Sequence, residues 1–346
     1  MFNQIYGGII LKLRIGVIGC GTVAGYGHIP GILDTPELEL VAISDLNAER
    51  LQELQSKHGI ESVYTDYNNL LSRDDIDAIT VATPLPWHYP IVMAAAKAGK
   101  HVFCEKPIAD TPEKGFEMVK AMSDAGKLLT INFENRVTEP FPEMKRLLDQ
   151  GEIGNLKVMR FVYNWAGGRW AGDARYKMLM IDGKGPIVDC GVHHFDLARW
   201  FSGSEFAEIH ATGTNVEDYP HPDHVISTNK MDNGIIALIE GGWAYTHNTA
   251  EHHTFYQVEL IGDLGLMGYF YRSTGEPENS LTKELYVYSP NGYTRKDLTS
   301  SDKNFIRMYT LFAESIKAGK LTGLPSGNDG CKALEAAERA LNEAEK

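Results

Sequence analysis

Cysteine is scarce in this chain of 346 residues: there are four, Cys20, Cys104, Cys190 and Cys331. They are scattered, and no two stand at C-x-x-C spacing, so the sequence offers neither a disulfide framework nor a zinc knuckle. A reduced, cytoplasmic setting is the expectation. Long apolar runs are also missing. Ile9-Ile10-Leu11 is too short for a membrane span and lacks the charged start and cleavage site of a secretory signal. Basic residues are in deficit: 33 Lys and Arg against 46 Asp and Glu leave a formal charge of −13. That charge repels polyphosphate surfaces, which argues against nucleic acid or an anionic membrane as partner. Neither His221-Pro222-Asp223-His224 nor His252-His253 forms a recognisable closed ligand set, so no metal is expected.

What is present is a 43% hydrophobic chain with 34 glycines, long enough for two cores. From Lys12 the order reads strand, glycine turn, helix, then strands at Leu38–Ser44, Ala78–Ala82, His101–Cys104 and Leu128–Asn132. Between them, Ala48–His58 and Pro90–Ala98 have helical spacing and stop at Gly59 and Gly99, and Pro112–Ala125 is a further helical stretch. Alternating strands and helices predict an α/β fold with a parallel sheet over residues 12–132. After Asn132 strands follow one another with few helices: Lys157–Trp165, Phe206–Val216, Val225–Met231, Ile235–Trp243 and Tyr256–Ile261, with a hairpin turn at Asn233-Gly234. Residues 133–346 therefore read as an α+β, substrate-binding domain with an antiparallel or mixed sheet, ending in two helical stretches, Phe305–Ala318 and Asn328–Glu345, with packing of these helices back on the first domain as the alternative.

Three motifs carry chemistry. Gly19-x-Gly21-x-x-Ala24 follows an apolar strand and opens a helix. Gly19 permits the tight turn, Gly21 lets backbone N–H groups approach a pyrophosphate, and Ala24 lets helix and strand pack closely. Asp45 closes the second strand, where a carboxylate meets the adenine ribose and repels a 2′-phosphate, so NAD is preferred; Arg50 nearby leaves room for NADP. Glu105-Lys106-Pro107 ends the strand begun at His101, on the ligand-binding edge of an open parallel sheet, where the Lys106 ammonium can stabilise an alkoxide as hydride departs. The stretch Gly185–Trp200 reads as one helix with Asp189, His193, Asp196 and Trp200 in a narrow buried stripe. Asp189 and His193 stand four apart, close enough for the carboxylate to orient an imidazole acting as general base, whereas His194 points elsewhere as a packing residue.

The ordered set of Gly19-x-Gly21-x-x-Ala24, Thr83-Pro84 with His88, Glu105-Lys106-Pro107 and Asp189-x-Gly191-x-His193-x-x-Asp196 resembles the Gfo/Idh/MocA oxidoreductase family across nearly the whole chain. The resemblance implies an N-terminal Rossmann domain and a C-terminal domain with a large, open, mainly antiparallel sheet that serves in homo-oligomer contacts. It implies Lys106, Asp189 and His193 as catalytic residues, with Gly19, Gly21, Thr22, Val23, Ala24, Asp45, Thr83, Pro84, His88, Glu105 and Lys106 at the cofactor. Asn132, Trp165, Arg169, Trp170 and Tyr176 fall in stretches that line the substrate cleft in such enzymes, and Arg169 or Arg175 suits a sugar acid. Two departures stand out: Leu85 replaces the usual Asn after Thr83-Pro84, and Gly183-Lys184-Gly185-Pro186 replaces a glycine triplet. The implied activity is NAD-dependent hydride transfer with a sugar, cyclitol or sugar derivative. An NAD-dependent glycosidase that oxidises its substrate transiently and a non-catalytic ligand sensor are the alternatives.

Overall fold

The computed structural model describes residues 12–165, 172–243, 253–274, 281–298 and 303–346, in two compact units. One comprises the described part of Met1–Val137 together with Lys303–Cys331; the other comprises that of Thr138–Asp302 together with Lys332–Lys346.

The first unit is built on six parallel strands: β1 (Leu13–Ile18), β2 (Leu38–Ser44), β3 (Ser62–Tyr64), β4 (Ala78–Val81), β5 (His101–Cys104) and β6 (Leu129–Ile131). They lie in the order β3-β2-β1-β4-β5-β6, so the chain reverses direction between β1 and β4. Such a reversal opens a crevice at the carboxyl ends of the strands, where ligands bind. The central strands are buried along almost their whole length, which explains their continuous apolar reading. The crossover helices start where the sequence supplies caps. The side chain of Asn47 accepts from Arg50 N–H to open Ala48–His58, which Gly59 closes at φ 66°, and Thr111 caps Pro112–Asp124 in the same way. The helix Phe305–Ala318 belongs to this unit, with Phe305, Met308, Tyr309 and Phe312 buried in the core that holds Ile15, Val17 and Phe103.

The second unit is an eight-stranded sheet: β7 (Leu156–Asn164), β8 (Phe206–Thr214), β9 (His224–Met231), β10 (Ile236–Gly242), β11 (His253–Gly262), β12 (Leu266–Thr274), β13 (Thr282–Ser289) and β14 (Gly292–Asp297). Their order is β14-β13-β12-β11-β7-β10-β9-β8, antiparallel except for β7 beside β10. The hairpin at Asn233-Gly234 joins β9 to β10, with Gly234 at φ 85°. Met159, Phe161, Ala237, Ile239, Val258 and Leu260 form the buried face.

The predicted single helix over Gly185–Trp200 is broken in two. Gly185–Asp189 ends at Cys190, and Val192–Ser202 begins beyond Gly191. A Cβ on Gly191 would lie 2.1 Å from the Ile187 carbonyl oxygen, so only glycine passes this joint. Lys184, standing in the departing glycine segment, takes the left-handed backbone at φ 58° and pairs with Glu338.

Candidate active site

The glycine turn is shaped by two contacts that no spacing rule expresses. Gly19 lies at φ +90°, and a Cβ there would come within 2.6 Å of the Ala82 backbone, so this position admits no side chain. Gly21 differs: a Cβ there would meet nothing within 4 Å, because it faces an open cleft of about 510 Å³ lined by Cys20, Gly21, Thr22, Gly25, Tyr26, Asp45, Asn47 and Arg50. Ala24 is fully buried against the sheet. The cleft sits at a helix N-terminus, where unpaired backbone N–H groups and the helix dipole favour phosphate.

Asp45 braces this turn. Its Oδ2 accepts the Cys20 N–H at 2.7 Å and its Oδ1 accepts the Asn47 N–H at 2.8 Å, and each oxygen keeps a second lone pair for a ribose hydroxyl. Arg50 crosses the same turn, donating from Nε to the Cys20 carbonyl at 3.1 Å and pairing with Glu53 at 2.7 Å. The guanidinium therefore already has two partners. Burial, and then the Asp45 carboxylate, push the Cys20 thiol up to about 12, which leaves it an inert packing group. Thr83, after β4, has a buried hydroxyl with no partner among the described residues. An open cradle at Gly21, a carboxylate at the end of β2 and an unspent hydroxyl at Thr83 fit a dinucleotide. We expect Gly21→Val to abolish NAD binding in a fluorescence titration while the melting temperature stays near that of the parent. Gly19→Ala should lower both, because it adds backbone strain and a clash.

Lys106 emerges at the carboxyl end of β5 as a part-exposed residue between buried Glu105 and buried Pro107. Pro107 is in the cis form. Glu105 is an ionised buried carboxylate. Burial alone would raise its pKa, but the hydrogen bond and charge of His28, then Lys106 and Asn132, pull it down to about 2. His88 turns inward, 1% exposed, with Nε2 2.9 Å from the Thr83 carbonyl and Nδ1 2.9 Å from the Pro107 carbonyl. It thus ties the Thr83 loop to the Lys106 turn and does not present its ring to the cleft. Leu85 is buried as well.

In the second unit Asp189 and His193 are both part-exposed, flanking the break at Cys190-Gly191, while Asp196 is fully buried and Trp200 part-exposed. The stripe expected to be buried is therefore open at its first two members. The Cys190 thiol lies 3.4 Å from Asp189 Oδ2. His194 packs as expected, stacked on Phe161 at 5.8 Å and beside Tyr163 and Tyr256. Trp165 meets Trp243 edge-on at 5.6 Å, and Tyr176 is buried against Tyr219 and Trp243. Arg169 and Trp170 lie outside the described residues. Sequence reasoning did not single out His28, Tyr309 or the pair of buried Glu134 with exposed Lys303, which surround Glu105 in the first unit.

Burial, followed by the neighbouring His193 charge, lowers the pKa of His194 to about 3. The unfolded chain then binds a proton that the folded one refuses. This group's contribution is complete above the ordinary histidine value of 6.5 and is lost as pH falls toward 3, at about 1.4 kcal/mol per pH unit. His101 acts in the same direction, lowered to about 4 by burial, and its Nδ1 accepts the Leu128 N–H. Glu105 adds a lower window, its contribution disappearing as pH falls from 4.5 toward 2. Urea midpoints should fall steadily from neutral pH to about pH 4; a flat profile would contradict a buried neutral His194.

A six-stranded parallel sheet with this turn, this carboxylate and this cleft defines an NAD-binding Rossmann domain. Residues 13–133 match the family described as "Oxidoreductase family, NAD-binding Rossmann fold", and residues 141–267 match the "GFO/IDH/MocA C-terminal domain". The chain belongs to the Gfo/Idh/MocA oxidoreductase family. It is 28% identical over 338 residues to a myo-inositol 2-dehydrogenase of Thermotoga maritima, covering 96% of this chain and 97% of the relative. It is 32% identical over 193 residues to a D-glucoside 3-dehydrogenase of Escherichia coli, 55% of this chain and 54% of the relative. The scyllo-inositol dehydrogenase of Lactobacillus casei, solved with bound NAD(H) and scyllo-inositol, superposes with a TM-score of 0.77 at 25% identity, covering 96% of each chain. Among the described residues no helix is long and apolar enough to cross a membrane.

Proposed function

We propose that the protein is an NAD-dependent dehydrogenase of a cyclitol, sugar or sugar derivative, oxidising a ring hydroxyl to a ketone or running the reverse reaction. The observation that carries this reading is Lys106, part-exposed at the ligand-binding edge of an NAD-binding sheet and held by an ionised buried neighbour. Bound NAD supplies the hydride acceptor. Lys106 donates to the substrate oxygen and stabilises the negative charge that develops on it. His193 removes the hydroxyl proton, and Asp189 orients the imidazole or holds a neighbouring hydroxyl. The inositol dehydrogenases and the glucoside dehydrogenase among its relatives support a ring polyol as substrate. Incubation with NAD and a panel of inositols, pyranoses and glucosides should give NADH absorbance with at least one of them. Folded protein that binds NAD and yields none would overturn the reading. Release of the aryl group from aryl glycosides, with no net NADH, would redirect it to a glycosidase.

Assembly through the second sheet is part of the same proposal. Tyr293, Tyr288, Leu266, Ile261, Val158 and Ile236 stand opposite one another in register across six strands. This row lies on the face opposite the buried one, with Tyr293, Tyr288 and Ile236 each about half exposed. A continuous apolar row of this kind suits burial against a second copy. Light scattering should report a homo-oligomer, and Ile236→Glu should dissociate it.

A further inference from the structure

His28 belongs to no motif of the dinucleotide fold, yet it is fully buried and reaches the Lys106 turn. The helical segment Ala24–His28 has π geometry. The residue inserted by such a turn shifts the helix face that follows it, and here the ring of His28 lands in the core against Phe103 and Phe305. Both ring nitrogens are engaged. Nδ1 lies 2.8 Å from the Tyr309 hydroxyl, itself 2.9 Å from the Thr80 hydroxyl, and Nε2 lies 2.8 Å from Glu105 Oε1. At the far end Glu105 Oε1 also accepts from Asn132 Nδ2 at 2.6 Å, and Oε2 accepts the backbone N–H of Lys106 at 3.2 Å.

Proton bookkeeping gives the chain a direction. A carboxylate only accepts, so His28 Nε2 carries a hydrogen, and Asn132 turns its NH₂ toward Glu105. The Asn132 Oδ1 is thereby left over, buried and without a partner among the described residues. Apolar residues of equal volume would hold such a core as well, since buried charge pairs rarely add stability. They could not anchor the Lys106 amide or choose which end of the Asn132 amide is offered. The charged and titratable groups around Glu105 come from every side: Tyr26 and His28 from the first helix, His88, Glu134, Lys303 and Tyr309, with Cys104 and Lys106 on its own segment.

We propose that His28 is a positioning residue for hydride transfer: through Glu105 it fixes the backbone of Lys106 and presents the Asn132 carbonyl oxygen as acceptor to a hydroxyl or amide donor of the bound ligands. The proposal rests on the reading of Lys106 as the catalytic lysine.

The test compares His28→Leu, His28→Gln and the double variant His28→Leu/Glu105→Gln, in which no carboxylate is left without its partner. Glutamine can donate to Glu105 and accept from Tyr309. In both leucine variants kcat should fall about 10- to 100-fold while the NAD dissociation constant moves less than about threefold, and His28→Gln should recover most of the loss. Hydrogen exchange at the Lys106 amide, read by mass spectrometry on peptides spanning Cys104 to Ala109, should quicken in the leucine variants and stay near wild type in His28→Gln. A glutamine variant as impaired as the leucine one, or leucine variants with unchanged kcat, overturns the proposal. Wild-type protein that turns over no polyol counts against the functional reading alone, and the exchange comparison then decides on His28 by itself.

Discussion

Lys106→Ala is expected to lower kcat by about 10²- to 10⁴-fold with NAD affinity little changed. The reason lies in what the substitution leaves in place. The backbone N–H at position 106 still reaches Glu105, which remains bonded to His28 and Asn132, so the turn keeps its shape and only the ammonium is removed. A developing alkoxide then loses its cation, which makes the loss a transition-state effect rather than a binding one. Lys106→Arg should not restore the rate, because a planar fork does not replace a compact point charge. Stopped-flow measurement of NADH formation, alongside NAD titration, separates the two effects. A kcat within about threefold of wild type would remove Lys106 from the chemistry.

The second large effect is expected at His193. His193→Asn should cost about 10²- to 10⁴-fold in kcat, since no other group is assigned to take the hydroxyl proton, and added imidazole should recover part of the rate. The residue beside it serves as the control. His194 is buried and stacked on Phe161, so His194→Leu should change the melting temperature and its acid dependence while leaving kcat per folded molecule close to wild type. Asp189→Asn is expected to fall between these results, because it removes a charge but keeps a side chain able to hydrogen-bond. If His194→Leu were the inactive variant and His193→Asn the active one, the assignment of the base would be reversed.

Much of the first unit was legible because its signals are local. The glycine turn follows β1 directly, Asp45 follows β2 directly, and the buried runs of β1, β2 and β4 are each read within a few residues. The five strands read in the second unit are those with a clear alternating or apolar run. The last three, β12 to β14, escaped: β14 is exposed at every position and carries no apolar pattern at all. The helix over Gly185–Trp200 was read as continuous because periodicity averages over a residue such as Gly191, whose role depends on the Ile187 carbonyl above it.

By itself the sequence determined an NAD-type α/β oxidoreductase of this family, because a glycine turn, a strand end and an order of motifs are legible along one chain, and it pointed to Lys106, Asp189 and His193 as the residues to test. Only the tertiary structure decided what surrounds them. It turned His88 away from the cleft to bridge two loops, gave Arg50 two partners, and joined His28 to Tyr309, 281 positions apart, beside Glu105. A buried polar group must find its partner wherever the fold supplies one, and no periodicity in the chain records where that will be.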